Sequence, residues 1–360
     1  MNDSLQSWVS RQWLSLNLFS LLLLPLSLIF CALVVLRRSL YQLHIAKSYQ
    51  ADVPIVIIGN ISVGGTGKTP LLLHLVKELQ KRQLKVAVIS RGYKSESLQV
   101  KAGKSLIIND SMSAHEVGDE PYLISRHANV PVVIGRKKSK SVELLLKNFD
   151  CDVILSDDGL QHYALARDIE ICVFDATKQF GNKLCLPAGP LRERPSRLKS
   201  VDFVIAHQTS SSSFENTNNF NIPGQQTIWP MSLSMDKAYP LSQFAKKEEY
   251  KELKEFKGTL VHAIAGIGQP QRFFNQLVKL GIDVIPHPFN DHFSYTIESL
   301  NFQENLPILM TEKDAVKCLN LFKQKINDNL FNRCWVVPVD VELSSDLISQ
   351  LTGKIMELKS

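Results

Sequence analysis

The stretch Ile55-Val56-Ile57-Ile58-Gly59-Asn60-Ile61-Ser62-Val63-Gly64-Gly65-Thr66-Gly67-Lys68-Thr69-Pro70 constrains this chain more than any other. An apolar, β-branched strand runs into a glycine-rich turn, and Gly-Lys-Thr then opens a helix. Pro70 stands in the first helical turn, where no amide hydrogen bond is lost. This strand, turn and helix order is the context a phosphate-binding loop requires. The turn Ser62, Val63, Gly64, Gly65, Thr66 and Gly67 lets backbone N–H groups converge on phosphate oxygens, and the helix N-terminus adds a favourable dipole. Lys68 is expected to reach the β/γ-phosphates and the Thr69 hydroxyl to ligate Mg²⁺. The strict pattern has glycine where this chain has Ser62, and Gly64-Gly65 supply the flexibility instead.

A loop of this kind belongs at the edge of a parallel sheet, and the flanking sequence predicts one. Val53–Ile58, Lys85–Ile89, Val130–Ile134, Val153–Leu155, Ile169–Phe174 and Val201–Ala206 are short apolar runs without clean alternation, as strands buried on both faces read. Helical stretches such as Leu71–Gln83 and Lys138–Asn148 lie between them, so a doubly wound, mostly parallel α/β sheet is expected. At 360 residues the chain exceeds one ordinary core of about 150 residues, which suggests two units. Residues 208–226, rich in Ser, Thr, Asn, Gln and Gly, read as a polar linker. The expected division is therefore 1–50 for an N-terminal membrane-associated helix and connector, 51–207 for the phosphate-loop domain, and 227–360 for a smaller α/β domain. Its strands are expected at Thr259–Ala265, Val284–Pro286, Leu306–Met310 and Cys334–Val337.

The N-terminal segment is the second unusual feature. No charge occurs between Arg11 and Arg37, a run of 25 residues, which exceeds the roughly 20 helical residues needed to cross a bilayer core. A cleaved signal is disfavoured, because Arg37-Arg38 follows the run where a small-residue cleavage site would be needed. Asn17, Ser20, Pro25 and Ser27 within the run keep an interfacial helix open beside a spanning one. Arg37, Arg38, His44 and Lys47 follow the run while only Arg11 precedes it, so a spanning helix would leave the following domain cytoplasmic.

Charge and cysteines narrow the partners. Forty-one Lys+Arg against 35 Asp+Glu is a net +6, an excess that suits anionic lipid or phosphate but lacks the dense basic runs of a nucleic-acid binder. The six cysteines, at 31, 151, 172, 185, 318 and 334, form no C-x-x-C pair and no zinc spacing, so reduced structural thiols facing a cytosolic compartment are expected. A second acidic signal stands at Val153-Ile154-Leu155-Ser156-Asp157-Asp158-Gly159, a buried strand ending in two acids. Strand carboxyl ends face the ligand crevice of such sheets, so Asp157 or Asp158 is expected to hold Mg²⁺.

Taken in order, the phosphate loop, Ser90-Arg91-Gly92-Tyr93, Val117-Gly118-Asp119-Glu120-Pro121, Asp157-Asp158-Gly159-Leu160-Gln161-His162, Leu186-Pro187-Ala188-Gly189-Pro190-Leu191-Arg192-Glu193, Asp291-His292 and Thr311-Glu312-Lys313-Asp314-Ala315 resemble the tetraacyldisaccharide 4′-kinase (lipid A 4′-kinase) family. The resemblance extends from the N-terminal helix to about residue 317, and Ser62 is similar to that family's own loop variant. It implies ATP and Mg²⁺ as cofactors, and a tetraacylated glucosamine disaccharide 1-phosphate as the glycolipid acceptor. It also implies lipid IVA as product, and a location on the cytoplasmic face of the bacterial inner membrane. Further, it implies that Arg91 and Arg192 line the phosphate crevice, that Glu193 reaches the metal or organises an arginine, and that His162 supports its loop. Asp119 and His292 match the family's catalytic pair, with the carboxylate beside the acceptor hydroxyl and the imidazole tuning it. Because they lie in different halves of the chain, the site is expected between two domains that close on each other. The alternative is a membrane-bound ATPase or GTPase switch. A GTPase should carry an Asn-Lys-x-Asp base-reading motif, which is absent.

Overall fold

Every residue of the strand Ile55–Gly59 is buried, and its side chains divide by parity: Val56 and Ile58 join the core on one face of a sheet, Ile55 and Ile57 the core on the other. A strand covered on both sides is apolar at every position, which explains the missing alternation. The structure, a computed structural model, describes residues 3–93, 95–208, 227–244, 248–291, 293–322 and 329–359. Among these, nine strands form one sheet in the order Leu106–Ile107, Val132–Ile134, Val86–Ser90, Val153–Asp157, Ile55–Gly59, Ile169–Asp175, Phe203–Gln208, Ile228–Ser234 and Asp340–Leu343. Pairing is parallel throughout except at the two edges, which are antiparallel. Helices Lys68–Lys81 and Ser345–Lys359 cover one face, and Lys138–Asn148 covers the other. The result is the doubly wound α/β architecture expected, with the phosphate-loop strand in the middle.

A second sheet of six strands runs Lys251–Glu252, Lys237–Pro240, Cys334–Val337, Ile308–Thr311, Leu260–Ala265 and Asp283–Pro288. The expected boundary at residue 227 does not hold in space. Ile228–Ser234 extends the first sheet, and after the second sheet the chain returns: Asp340–Leu343 pairs with Ile228–Ser234. Helix Ser345–Lys359 then buries Leu347, Ile348, Leu351 and Ile355 beside the phosphate-loop helix. The return covers apolar surface on Lys68–Lys81 that would otherwise face water, so the smaller unit is an excursion between residues 234 and 340. Of the predicted linker, residues 209–226 lie outside the described residues.

The uncharged N-terminal run is not one helix. It divides into Asp3–Gln12, Leu18–Leu22 and Leu24–Gln42, because Asn17 caps a new start by accepting from the Ser20 amide at 2.9 Å. The last helix has 19 residues and a mean hydropathy of 1.6, long and apolar enough by length to cross a membrane. One stripe of this region is docked on the body. Trp13 Nε1 donates to the Pro187 carbonyl (3.0 Å), Asn182 Nδ2 to Ser20 Oγ (3.1 Å), Ser27 Oγ to the Cys185 carbonyl (2.8 Å) and Arg38 to Ser200 Oγ (2.7 Å). The opposite stripe, including Leu26, Ile29, Leu33 and Leu36, is more than half exposed.

Candidate active site

The phosphate loop is open at its crest and closed at its foot. At Gly64 and Gly65 an added Cβ would meet no atom within 4 Å, whereas at Gly67 it would lie 3.0 Å from Met231 Cε and 3.1 Å from His207 Nδ1. Gly67 also has φ +87° and precedes Lys68 at the helix start, so only glycine fits both demands. Ser62 and Thr66 are buried and Val63 is exposed. The segment after Cys185 braces the loop from outside, with the Val63 amide donating to the Pro190 carbonyl (2.8 Å) and the Arg192 amide to the Ile61 carbonyl (2.7 Å). That brace carries Arg192 into the crevice.

Asp157 ends the strand beside the phosphate-loop strand, in register with Ile58. Asp158 follows with φ +47°, a turn that directs it towards the loop. It pairs with Lys68 (3.4 Å) and with Arg192 (3.1 Å). Burial alone would raise its pKa, but Lys68 and then Arg192 hold the carboxyl well below the usual range. Asp157 is nearly sealed, accepting from Ser90 Oγ at 3.0 Å, and its pKa is raised, first by burial and then by the charge of Glu120. Two adjacent carboxyls are thus driven in opposite directions, a pattern that concentrates at sites of chemistry. Beneath them lies Lys138, 2% exposed, whose Nζ donates to Ser156 Oγ (3.0 Å) and to the Asp157 carbonyl. Burial lowers its pKa to about 8, against the pull of Asp157 and Asp158.

Glu193 does not stand open towards a metal. It is 3% exposed; Oε1 accepts from Gln161 Nε2 (2.7 Å), and Oε2 accepts from Tyr163 OH (2.5 Å) and faces Arg197 Nε at 3.4 Å. Both oxygens thus have protein partners, and one of them faces the Arg197 guanidinium. Arg197 is itself buried against Glu170 at 2.5 Å. His162 is held neutral, with its pKa lowered to about 4 by burial and by the nearby Lys138 and Arg91.

Asp119 opens helix Asp119–Ala128, where an acid complements the positive helix end. Gly118 before it has φ +95°, and a Cβ there would lie 2.6 Å from the Tyr93 carbonyl. Tyr93 and Gly118 are therefore pressed together, although they are far apart in sequence. The same helix faces the smaller unit: Tyr122 and Leu123 share a core with Ile264, Met310, Ala315 and Val316. Lys313 Nζ bridges Glu120 (3.3 Å) and Asp291 (3.1 Å). Asp119 is also among the charges that raise the pKa of Tyr295, after burial and Asp314. Helix Asp119–Ala128 thus packs directly on the smaller unit. His292 lies outside the described residues.

Four participants were not singled out from the sequence: Lys138, Gln161, Tyr163 and Lys313. Gln161 and Lys313 stand inside motifs noted for their resemblance, and that was their available signal. Lys138 had none, since Arg136-Lys137-Lys138 reads as a solvated helix start. Among the described residues no group of three or more His, Cys, Asp and Glu gathers as a metal cage. The oxygen donors Asp157, Asp158 and Thr69 beside an open phosphate cradle suit Mg²⁺, which takes one or two carboxylates and completes its shell with substrate phosphate and water.

A glycine-crested loop in the middle of a parallel sheet, opposed by a carboxylate that holds a lysine and an arginine, defines a phosphate-loop kinase. Residues 19–356 match the family described as Tetraacyldisaccharide-1-P 4′-kinase, and the chain belongs to that family. It is 39% identical over 359 residues to the tetraacyldisaccharide 4′-kinase of Methylobacillus flagellatus, covering 99% of this chain and 98% of that one. It is 45% identical over 333 residues to that of Haemophilus influenzae, covering 92% and 91%. Among solved structures, LpxK from Aquifex aeolicus in complex with ATP superposes with a TM-score of 0.76 at 26% identity, over 95% of this chain and 99% of that one.

Proposed function

We propose that this kinase transfers the γ-phosphate of ATP to the 4′-hydroxyl of a tetraacylated glucosamine disaccharide 1-phosphate, forming lipid IVA at the cytoplasmic face of the inner membrane. The observation that carries the reading is the convergence of Lys68 and Arg192 on Asp158 beside an open loop crest, next to a helix that begins at Asp119 and packs on the smaller unit. The amides of Gly64–Thr69 cradle the phosphates, and Lys68 and Arg192 leave Asp158 to neutralise charge on the transferring group. Arg91 enters the same crevice from the neighbouring strand end. Asp157, Asp158 and Thr69 hold Mg²⁺, which when bound supplies charge neutralisation at the phosphates. Asp119 accepts the proton of the acceptor hydroxyl, with His292 tuning it, and Glu193 keeps Gln161 and Arg197 in place behind Arg192.

A base-reading switch is disfavoured by the placement of Thr311-Glu312-Lys313-Asp314. Lys313 is spent on Glu120 and Asp291, and Asp314 accepts from the Gly266 amide and Tyr295 OH. At the N-terminus, a crossing helix would have to surrender the contacts of Ser27 and Arg38 with the body, whereas a helix lying in the interface keeps them and buries its exposed leucines in lipid. The deciding assay is transfer of radiolabel from γ-labelled ATP to purified tetraacyldisaccharide 1-phosphate. Labelled inorganic phosphate without labelled lipid would overturn the reading in favour of an ATPase.

A further inference from the structure

Helix Pro270–Lys279 stands between the two units and presents a different chemistry to each. Phe273, Phe274 and Leu277 are buried in the core of the smaller sheet. Gln269 at its N-cap, Arg272 and Gln276 meet the larger one, at the three- and four-residue spacing that keeps side chains on one helix face. Arg272 donates to Asp175 Oδ2 at 2.7 Å, and Gln269 Nε2 donates to the same oxygen at 3.4 Å. One turn on, Gln276 Nε2 donates to the Leu233 carbonyl at 3.2 Å, where the chain is about to leave the first sheet. Asp175 is buried, and its other oxygen accepts from the Thr177 and Lys178 amides at 2.9 and 3.2 Å. Burial would raise its pKa, but Arg272 and then the Lys178 amide hold it below the usual carboxylate range.

Both ends of this strut adjoin the active site. Asp175 ends the strand that pairs with the phosphate-loop strand, and it stands in register with His207 on the next. His207 Nδ1 lies 3.1 Å from the place a Cβ on Gly67 would take. Burial and then Arg272 lower the His207 pKa to about 4, so a neutral ring backs the foot of the loop. In the other direction, the helix is entered from Gly266-Ile267-Gly268-Gln269. The Gly266 amide donates to both oxygens of Asp314, at 3.1 Å each, and Asp314 also accepts from Tyr295 OH (3.0 Å) and Thr311 Oγ1 (2.6 Å). A Cβ on Gly266 would lie 3.2 Å from the Asn290 carbonyl. The turn that opens the helix is therefore pressed on the segment that carries Asp291 and, next in sequence, His292.

We propose that Arg272 is a positioning residue for phosphoryl transfer: its ion pair with Asp175 fixes helix Pro270–Lys279, and through Gly266 the Asp291-His292 segment, at a set distance from the phosphate loop. The assignment rests on the transfer reading given above, in which His292 acts beside the acceptor hydroxyl. The role of Arg272 is placement rather than contact with the reacting atoms. Without it, Asp175 keeps the Thr177 and Lys178 amides, so the strand end persists while the helix loses its anchor.

The test uses the full-length enzyme with Arg272→Met and Arg272→Lys, each alone and in a His292→Ala background. Transfer from ATP to tetraacyldisaccharide 1-phosphate gives kcat and both KM values, and hydrogen exchange reports on residues 266–269 and 289–291. Displacing a reacting group by about 1 Å costs on the order of a hundredfold, so Arg272→Met should lower kcat about 10- to 100-fold with the ATP KM within about threefold. Arg272→Lys keeps the charge and should restore most of the loss. In the His292→Ala background, Arg272→Met should cost less than about threefold, because the group it places is gone. Exchange at both segments should rise in Arg272→Met and return to the wild-type level in Arg272→Lys. If Arg272→Met does not fold, Gln269→Ala/Gln276→Ala loosens the same stripe with the ion pair in place, and a smaller kcat loss with the same dependence on His292 is expected. An equal loss of kcat in both backgrounds overturns the proposal. So does a lower melting temperature with normal kcat, which would leave the pair a contact between the units and nothing more. Exchange separates this from the kinase reading: a wild type that labels no lipid, with variants whose exchange responds as expected, keeps the strut and refutes only the transfer.

Discussion

Replacing Lys313 by methionine removes one charge and little volume from the junction between the two units, and its consequences can be worked from the geometry. Nζ lies 3.3 Å from Glu120 Oε1 and 3.1 Å from Asp291 Oδ1, with the two carboxylate side chains 41% and 43% exposed. Ion pairs with partners this wet contribute about 0.5–1 kcal/mol each after screening, so the variant should lose about 1–2 kcal/mol. That corresponds to about 1–3 °C in melting temperature for a chain of this size. Burial alone would lower the lysine pKa, but Glu120 and Asp291 raise it above the usual lysine value. A raised lysine pKa gives stabilisation that is complete below the ordinary lysine range and fades only above it, so the loss should be constant from pH 6 to 9. The larger expected effect is catalytic. Glu120 and Asp291 adjoin in sequence the two members of the proposed acid–base pair, and misplacing a reacting group by about 1 Å costs on the order of a hundredfold. We expect kcat to fall about 10- to 100-fold with the ATP KM unchanged, and Lys313→Arg to restore most of it. Steady-state kinetics with scanning calorimetry decide the matter. A lower melting temperature with normal kcat would show that Lys313 is only a clamp, and the reasoning from junction to catalysis would fail.

Lys68→Ala should reduce turnover by at least about a thousandfold while leaving the melting temperature within a few degrees; near-normal kinase activity in the folded variant would contradict the phosphate-loop role. Asp119→Ala should lower kcat about 10²- to 10⁴-fold with ATP affinity retained. Combining it with His292→Ala should be scarcely worse than the poorer single change, and multiplicative losses would separate the two residues. Glu193→Ala leaves Arg197 buried with only Glu170 and strips Gln161 and Tyr163 of an acceptor, so urea unfolding should register a loss of about 3 kcal/mol. Normal stability with a weakened Mg²⁺ dependence would return Glu193 to the metal.

Local chemistry was legible in the sequence because its causes are local. Gly64 through Thr69 act through backbone freedom, a helix end and two adjacent side chains, and each of these is set within a few residues. The buried strands could be read for a similar reason, since Ile55–Ile58 must be apolar at every position whichever helices cover them. Asp157-Asp158 stood out because a strand end in a parallel sheet faces the crevice wherever the strand is placed. What depended on long-range packing was hidden. Lys138 carries the sequence signature of a surface lysine and is buried only because Ser156 and the Asp157 carbonyl are brought over its Nζ. Glu193 reads as a candidate metal ligand until Gln161, Tyr163 and Arg197 close on both of its oxygens. The return of Ser345–Lys359 to the first sheet is favourable only against the exposed flank of Lys68–Lys81, a surface that exists once the sheet has formed. The docking of Ser27 and Arg38 likewise depends on Cys185 and Ser200, far along the chain. Burial and the pairing of charges are properties of the assembled interior, so residues whose roles rest on them take those roles only in the folded molecule.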